Sequence, residues 1–516
     1  MNDVKRGTLS LQREKPSDAA EAVLEQQIPV GVFDLLLPSR QFVVHHKVAV
    51  LTNVSLTAEF LLRLLFNLDS LSEEDIGEFF AFGDEEVNFI VNETHSKGYV
   101  ERRSGRVELT QAGYDLFKDS DKPQVFEIVK RTEKVGFDLL SMAPSERSFL
   151  SEIELAFSEL VVEDDYRASK ASLEVPDAFR RHYREIVGKK DRDITAGIKR
   201  TLYSIDTVIP SDRFSSIVPV VAVATSRNPA NPEALFEAWR TTHELDDRPE
   251  VARAVAAFLD NLKVLVRPDD RRAYDILLGV AEDYLKEYRT RNGLSVSRYF
   301  KEMTQRAGEV RADRPTIGIV GPLYASGNIE RVMKVLEIAN ERSTALMVEQ
   351  LVWVIPKSST WGMSRGVKKL LERIAGESRP KEEQANQAAL TETAITSGKP
   401  SGHVRKIFET IFTRDDDGAI PDALEILLIP QRLVAVIVHA PIGLERGFPV
   451  PLGILSFDSK VLETVREYLV DRLPQFIRRF DSGDAMDIHK LVNSDGIATA
   501  DGIAASNSSE VPGQSH

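Results

Sequence analysis

Cysteine is absent from all 516 residues. That absence excludes disulfides, thiolate nucleophiles, zinc ribbons and iron–sulfur clusters together, and it agrees with a reducing compartment. The opening MNDVKRGTLSLQREKPSDAAEAV contains no apolar run, so no secretion signal is expected. No stretch approaches the roughly 18 uninterrupted apolar residues that a membrane span needs. Basic excess is also lacking: 66 Lys and Arg against 80 Asp and Glu leave a formal net charge of −14. Such a chain does not coat nucleic acid or anionic membrane through bulk electrostatics, so any nucleic-acid contact must be local. The expectation is a cytoplasmic protein with no membrane association.

What is present is an ordinary globular composition, 42% hydrophobic and 28% charged, enough to bury cores. The length suits roughly three or four domains of about 150 residues each. The sequence predicts an α+β multi-domain protein: a polar flexible arm over 1–27, a small domain over 28–122, a mixed α/β middle region over 123–313, an α/β domain over 314–480 with a polar insertion near 377–403, and a disordered tail over 481–516. Ile28 to Thr52 reads as a short helix or turn followed by a strand, with Pro38-Ser39 as the break. Pro123 to Met142 reads as a hairpin, and the run from Arg200 to Thr225 reads as two strands joined at Pro210-Ser211-Asp212. "PEALFEAWRTTHEL" reads as a helix.

The most legible segment runs from about residue 55 to 118. Thr57 is placed to cap a helix with Phe60, Leu61, Leu64, Leu65 and Leu68 at helical spacing. Ser72 with Asp75 forms a capping-box pattern before Ile76, Phe79 and Phe80. A third helix carries Val87, Ile90 and Val91 and ends at Gly98. "GYVERRSGRVELTQAG", Gly98 to Gly113, then gives two short strands, a tight Ser104-Gly105 turn and a fourth helix capped by Thr110. Three helices, a hairpin and a helix in this order resemble the winged helix-turn-helix superfamily. That resemblance implies DNA binding, with the third helix in the major groove and the wing on phosphate or minor groove.

Charge opposes the simple form of that expectation. Residues 57–118 hold thirteen carboxylates against six cations. The would-be recognition helix opens on Asp84-Glu85-Glu86, where base reading needs Arg, Lys, Asn or Gln. The cations concentrate on the wing, so the candidate nucleic-acid-binding residues are Arg102, Arg103, Arg106 and Lys97, with Asn88 and Asn92 also placed to face DNA. The alternative expectation is a protein partner that uses the same small fold as a scaffold.

The C-terminal region alternates strand and helix from Thr316 onward, predicting an α/β layer with some parallel pairing. "GIVGPLYASGN" has glycines between strand and helix, but neither dinucleotide nor phosphate-loop spacing occurs, and turn formation accounts for Gly321 and Gly327. "RLVAVIVHAPIGLERGFPVPLGILSFDSKVLETVREYL" resembles the end of a phospholipase D-like domain. That family needs His, then Lys two residues on, then Asp five residues after the Lys. His439 is followed by Ala440 and Pro441, while His45-Lys47 and His95-Lys97 meet Thr52 and Arg102 at the Asp position.

No metal site and no cofactor are expected, since the nine histidines are scattered and Asp415, Asp416, Asp417 and Asp422 lack alternating calcium-ligand spacing. No catalytic residue is assigned. Trp353 reads as core. Trp361, beside Ser358-Ser359-Thr360, reads as loop packing, with a binding surface as the other reading. The combined expectation is a non-enzymatic accessory or regulatory protein that uses a winged helix for DNA or partner binding. By analogy it belongs with accessory proteins of prokaryotic defence or DNA-processing systems. The alternatives are a divergent nuclease or phospholipase D-like hydrolase in the C-terminal domain, and an obligate scaffold subunit.

Overall fold

Twenty-five consecutive residues, Ile28–Thr52, form one strand, β1, where the sequence predicts a turn and a shorter strand. Pro38 does not break it: pairing with one neighbouring strand begins one residue later, at Ser39, and the Pro38 carbonyl accepts from the Leu139 N–H at 2.8 Å. The computed structural model describes residues 27–52, 55–118, 123, 125–162, 170–190, 200–236, 239, 248–305, 310–342, 350–377, 390–414 and 418–493. The predicted arm, apart from Gln27, and the tail beyond 493 lie outside these residues. Among them the chain is mixed α and β, and no helix is long and apolar enough to cross a membrane.

The chain divides into two units. The larger comprises Met1–Leu37, Ser148–Val161 and Ser216–His516, and the smaller comprises Pro38–Arg147 and Val162–Ser215.

In the smaller unit the chain leaves β1 for α1 (Leu56–Leu68), β2 (Ser70–Ser72), α2 (Glu73–Phe80), α3 (Asp84–Ser96), β3 (Val100–Arg103), β4 (Arg106–Leu109) and α4 (Gln111–Asp115). The three short strands form one antiparallel sheet in the order β2-β4-β3. Ser104 (φ 51°) and Gly105 (φ 80°) both occupy the left-handed region, the conformation a two-residue hairpin turn demands. Ser55 rather than Thr57 caps α1, accepting from the Ala58 N–H at 3.2 Å. That helix buries Ala58, Leu61, Leu62 and Leu65 and exposes Phe60 and Leu68, a face rotated from the predicted one. Ile76, Val87, Ile90, Val91, Val100 and Val107 complete its core.

The rest of the smaller unit is built on β5 (Val125–Asp138), a single strand rather than a hairpin, antiparallel to β1 from Ser39↔Asp138 to Thr52↔Val125. Helix α5 (Ala171–Lys190) supplies Val175, Phe179 and Tyr183 to a core with Phe42, Val44 and Phe137. Strand β6 (Arg200–Thr225) is likewise uninterrupted, since the fixed φ of Pro210 suits an extended chain.

In the larger unit the end of β6 pairs antiparallel with β7 (Asn228–Leu235), so the start of the predicted "PEALFEAWRTTHEL" helix is strand. There follow α6 (Pro249–Asn261), β8 (Val264–Leu265), α7 (Pro268–Val280), α8 (Glu282–Leu285), the short pair β9 (Arg289–Thr290) and β10 (Gly293–Leu294), and α9 (Val296–Gln305). The remaining strands are β11 (Thr316–Val320), β12 (Gln350–Val354), β13 (Thr391–Ser397), β14 (Thr410–Arg414), β15 (Leu424–Ile429), β16 (Leu433–Ala440), β17 (Arg446–Gly447), β18 (Val450–Ser456), β19 (Phe476–Arg479) and β20 (Ala485–Asp487). All except β17, which pairs with β8, join one nine-stranded sheet in the order β11-β18-β16-β15-β12-β13-β14-β19-β20.

Strands β12, β13 and β14 run parallel, as the α/β rhythm predicts, and every other adjacent pair is antiparallel. The central strands β12, β15 and β18 are buried at every residue, which explains their unbroken apolar runs. Helices α10 (Ser326–Arg342) and α11 (Arg365–Glu377) pack Ile329, Val332, Leu336, Val367 and Leu370 into this core. Helix α12 (Val404–Ile407) links β13 to β14, and α13 (Ser459–Arg472) follows β18. Part of the predicted insertion is therefore strand β13, and residues 481–493, assigned to the tail, form β20 and α14 (Ile488–Val492).

Candidate functional site

Two places concentrate polar groups: the β3–β4 hairpin with its neighbouring helices in the smaller unit, and a cleft in the larger unit.

At the hairpin, Arg102 leans back onto the helices instead of outward. Its Nε donates to Glu73 Oε1 at 2.5 Å, one Nη to Asn92 Oδ1 at 2.8 Å and the other to Asn88 Oδ1 at 3.1 Å. One guanidinium thus ties β3 to the start of α2 and to two turns of α3. It also engages both asparagines that the sequence offers for base contact. Arg106 donates to the Ser70 hydroxyl (3.1 Å) and the Ser70 carbonyl (2.9 Å) on β2. Arg103 is 71% exposed but lies between Glu101 (4.0 Å) and Glu108 (3.6 Å). Lys97 pairs with Glu93 one turn back on α3, at 3.5 Å. The structure brings Arg102 and Arg106 into internal networks and places Arg103 and Lys97 beside carboxylates.

Glu73, Glu74 and Asp75 occupy the first turn of α2, and Asp84, Glu85 and Glu86 that of α3, where the positive end of each helix dipole favours them. The Ser72–Asp75 capping box forms with both bonds at 3.1 Å, and Glu86 accepts from the Gly83 N–H at 2.8 Å. Among these acids stand two aromatic rings in solvent, Phe79 of α2 (63% exposed) and Phe89 of α3 (69% exposed). The exposed positions of these two helices thus include both carboxylates and aromatic rings. Phe79, which the sequence places on the apolar stripe three residues after Ile76, is exposed instead, whereas Phe89 lies off the Val87, Ile90 and Val91 stripe of its own helix.

The cleft of the larger unit has a volume of about 770 Å³. Two polar side chains stand inside apolar strands here, His439 of β16 on the cleft wall and Glu425 of β15 behind it. Glu425 is 0% exposed; its Oε1 accepts from Trp353 Nε1 at 2.9 Å and its Oε2 from His439 Nε2 at 2.5 Å. The contact fixes which ring nitrogen meets the carboxyl group: Nε2 faces Glu425, and Nδ1 has no hydrogen-bond partner among the described residues. His439 reaches the cleft wall, and Glu425 acts on it from behind. The partner of His439 is thus a carboxylate and not the second histidine of a phospholipase D-like site. The signal was legible as the one acid in "ALEILLIP" and the one imidazole in "RLVAVIVHAP".

Trp353 is core, as predicted. Trp361 is buried yet lines the cleft, set edge-on to Trp353 at 5.2 Å and to Tyr324 at 6.1 Å. Its carbonyl accepts from His403 Nε2 at 2.7 Å, and burial lowers the pKa of His403 below the usual imidazole value. Tyr324 is raised above the usual phenol range by burial, with the Glu425 charge adding in the same direction. Asp422 also lines the cleft and pairs with Lys357 and Arg267, each at 3.7 Å, while Asp415, Asp416 and Asp417 lie outside the described residues.

Gly321 adopts φ 82°, and a Cβ on it would lie 2.2 Å from the Pro29 carbonyl. A close-packed turn therefore accounts for this glycine. Among the described residues no group of three His, Asp or Glu is placed to hold a metal ion.

No protein-family model matches this chain, and no curated protein is significantly similar to it.

Proposed function

We propose that this is a non-enzymatic accessory protein whose residues 55–118 form a winged helix that docks a protein partner and does not read DNA. The observation that carries the reading is Arg102, whose guanidinium is bonded to Glu73, Asn88 and Asn92. The same contacts hold the two asparagines of the would-be recognition helix. Opening this network toward phosphate would break three bonds and bring DNA against the acidic starts of α2 and α3. The exposed carboxylates of α2 and α3, with the exposed rings of Phe79 and Phe89, suit a basic amphipathic segment of a partner protein by charge and by apolar contact.

The test is fluorescence anisotropy at about 0.15 M salt with two probes, a 20-base-pair duplex and a Lys/Leu amphipathic helical peptide. The peptide is expected to bind, and Phe79→Ser/Phe89→Ser to weaken it about tenfold or more. The duplex is expected to bind no tighter than about 10⁻⁴ M, the weak end of non-specific association. Saturable duplex binding that disappears in Arg103→Ala/Arg106→Ala would overturn the reading in favour of wing-led DNA contact. The hydrolase alternative stands second. It rests on the Glu425–His439 pair alone, and no hydroxyl nucleophile is hydrogen-bonded to His439 among the described residues.

A further inference from the structure

The cleft of the larger unit contains donors that its own packing leaves unused. The Trp361 indole N–H is buried and meets no acceptor among the described residues. The Tyr324 hydroxyl accepts from the Gly362 N–H at 3.1 Å, and no described residue accepts its own hydrogen. Its raised pKa keeps that hydrogen in place at neutral pH. Buried donors are normally satisfied, so two on adjoining rings beside a cleft point to an acceptor supplied from outside the chain.

Charge says what kind of acceptor. Lys263, Arg267, Lys357 and Arg446 line the cleft against the single carboxylate of Asp422. Lys263 is held by Asp260 at 2.8 Å, Asp260 also acts on Arg446 through space, Arg267 pairs with Asp270 at 3.3 Å, and Asp422 is shared by Arg267 and Lys357. The Arg446 guanidinium has no hydrogen bond or ion pair among the described residues. With Asp260, Asp270 and Asp422 set against the four cations, one positive charge is left over at the cleft of a chain whose net charge is −14. One part of the remaining wall is apolar and stiff, with Phe33, Phe448, Val264 and prolines 322, 356 and 451. Ser358, Ser359, Thr360, Asn261 and His439 supply polar groups elsewhere on it.

We propose that this cleft binds a small molecule with an apolar body and one anionic head, a carboxylate or a phosphate. The head accepts from Trp361 and Tyr324, Lys357 and Arg446 balance its charge, and the body lies along the apolar wall. The inference stands on the larger unit alone, so its failure leaves the winged-helix reading untouched.

Isothermal titration of the full chain with decanoate, decyl phosphate, decanol and inorganic phosphate tests it. At least one of the two acids is expected to saturate at a single site, and the tighter of the two identifies the head. Lys357→Ala/Arg446→Ala is expected to weaken that acid by about tenfold or more, and Lys357→Arg/Arg446→Lys to retain most of the affinity. Trp361→Phe keeps the ring and removes only the N–H, and is expected to weaken binding by roughly threefold or more. If that buried variant fails to fold, the two surface pairs carry the test. The proposal is overturned by any of three results: neither acid saturates below about 1 mM, the Ala pair binds like wild type, or decanol or inorganic phosphate binds as tightly as the better acid.

Discussion

Arg102 and Glu425 show how single residues acquire meaning only through their partners. Arg102 sits in "VERRSGR" as one of three cations that look equivalent, yet it alone has acceptors on two helices. Glu425 looks like a stray acid in an apolar strand until Trp353 and His439 are seen on its two oxygens. His403 carries a prediction at this scale. Burial is the main cause lowering its pKa, opposed in part by the bond to the Trp361 carbonyl. In the unfolded chain it titrates near about 6.5, so below that pH the unfolded state binds more protons than the native state. The stability it contributes is complete above that value and is lost as pH falls toward its lower folded value. Urea unfolding between about pH 7 and pH 5 is therefore expected to weaken with acidification, and His403→Gln, which can still donate to Trp361, to flatten that slope. Tryptophan fluorescence isolates the effect, because Trp239, Trp353 and Trp361 all lie in the larger unit, whereas His46, also lowered by burial, lies in the smaller.

At the scale of elements, the hairpin is braced from behind. Arg102 links β3 to α2 and α3, whereas the exposed Arg103 meets only carboxylates of its own hairpin. Arg102→Ala is expected to destabilise the smaller unit by about 1–2 kcal/mol, from one partly exposed charge-assisted bond and two bonds to amide oxygens. Arg103→Ala is expected to stay within about 0.5 kcal/mol of wild type. Far-ultraviolet circular dichroism during urea unfolding checks both, and equal losses would remove the distinction. Elements also mark where periodicity succeeds. Ser72–Asp75, Ser104-Gly105 and Thr110 act where the sequence places them, because caps and tight turns depend on side chains within three or four residues. The lengths of β1 and β6 were not legible. A proline reads as a break in one dimension, yet its fixed φ suits an extended chain. The buried face of α1 was misread for a similar reason: its apolar residues circle much of the helix, and only the positions of α3 and β4 decide which of them meet the core.

For the whole molecule, charge is the property that survives every level of organisation. The chain is acidic overall, and the cations its sequence singled out for nucleic acid are bonded internally or face carboxylates. It is therefore expected to pass through a heparin column at about 0.1 M salt without retention, since the net charge is negative and the hairpin cations already have partners. Retention lost in Arg103→Ala/Arg106→Ala would show that the wing engages polyanions despite its partners. By itself the sequence determined what depends on composition and on neighbours along the chain: the exclusion of thiol chemistry, the acidic balance, the caps, the turn at Ser104-Gly105, and the α/β rhythm from Thr316 onward. The tertiary structure decided what depends on residues far apart. It drew Arg102 onto Glu73 and Asn88, joined Glu425 to Trp353 and His439 across three strands, and set Trp361 and Tyr324 beside Lys357 and Arg446 in one cleft. Hydrogen bonds and charge pairs act over a few ångströms, and only the folded chain brings such partners within that range.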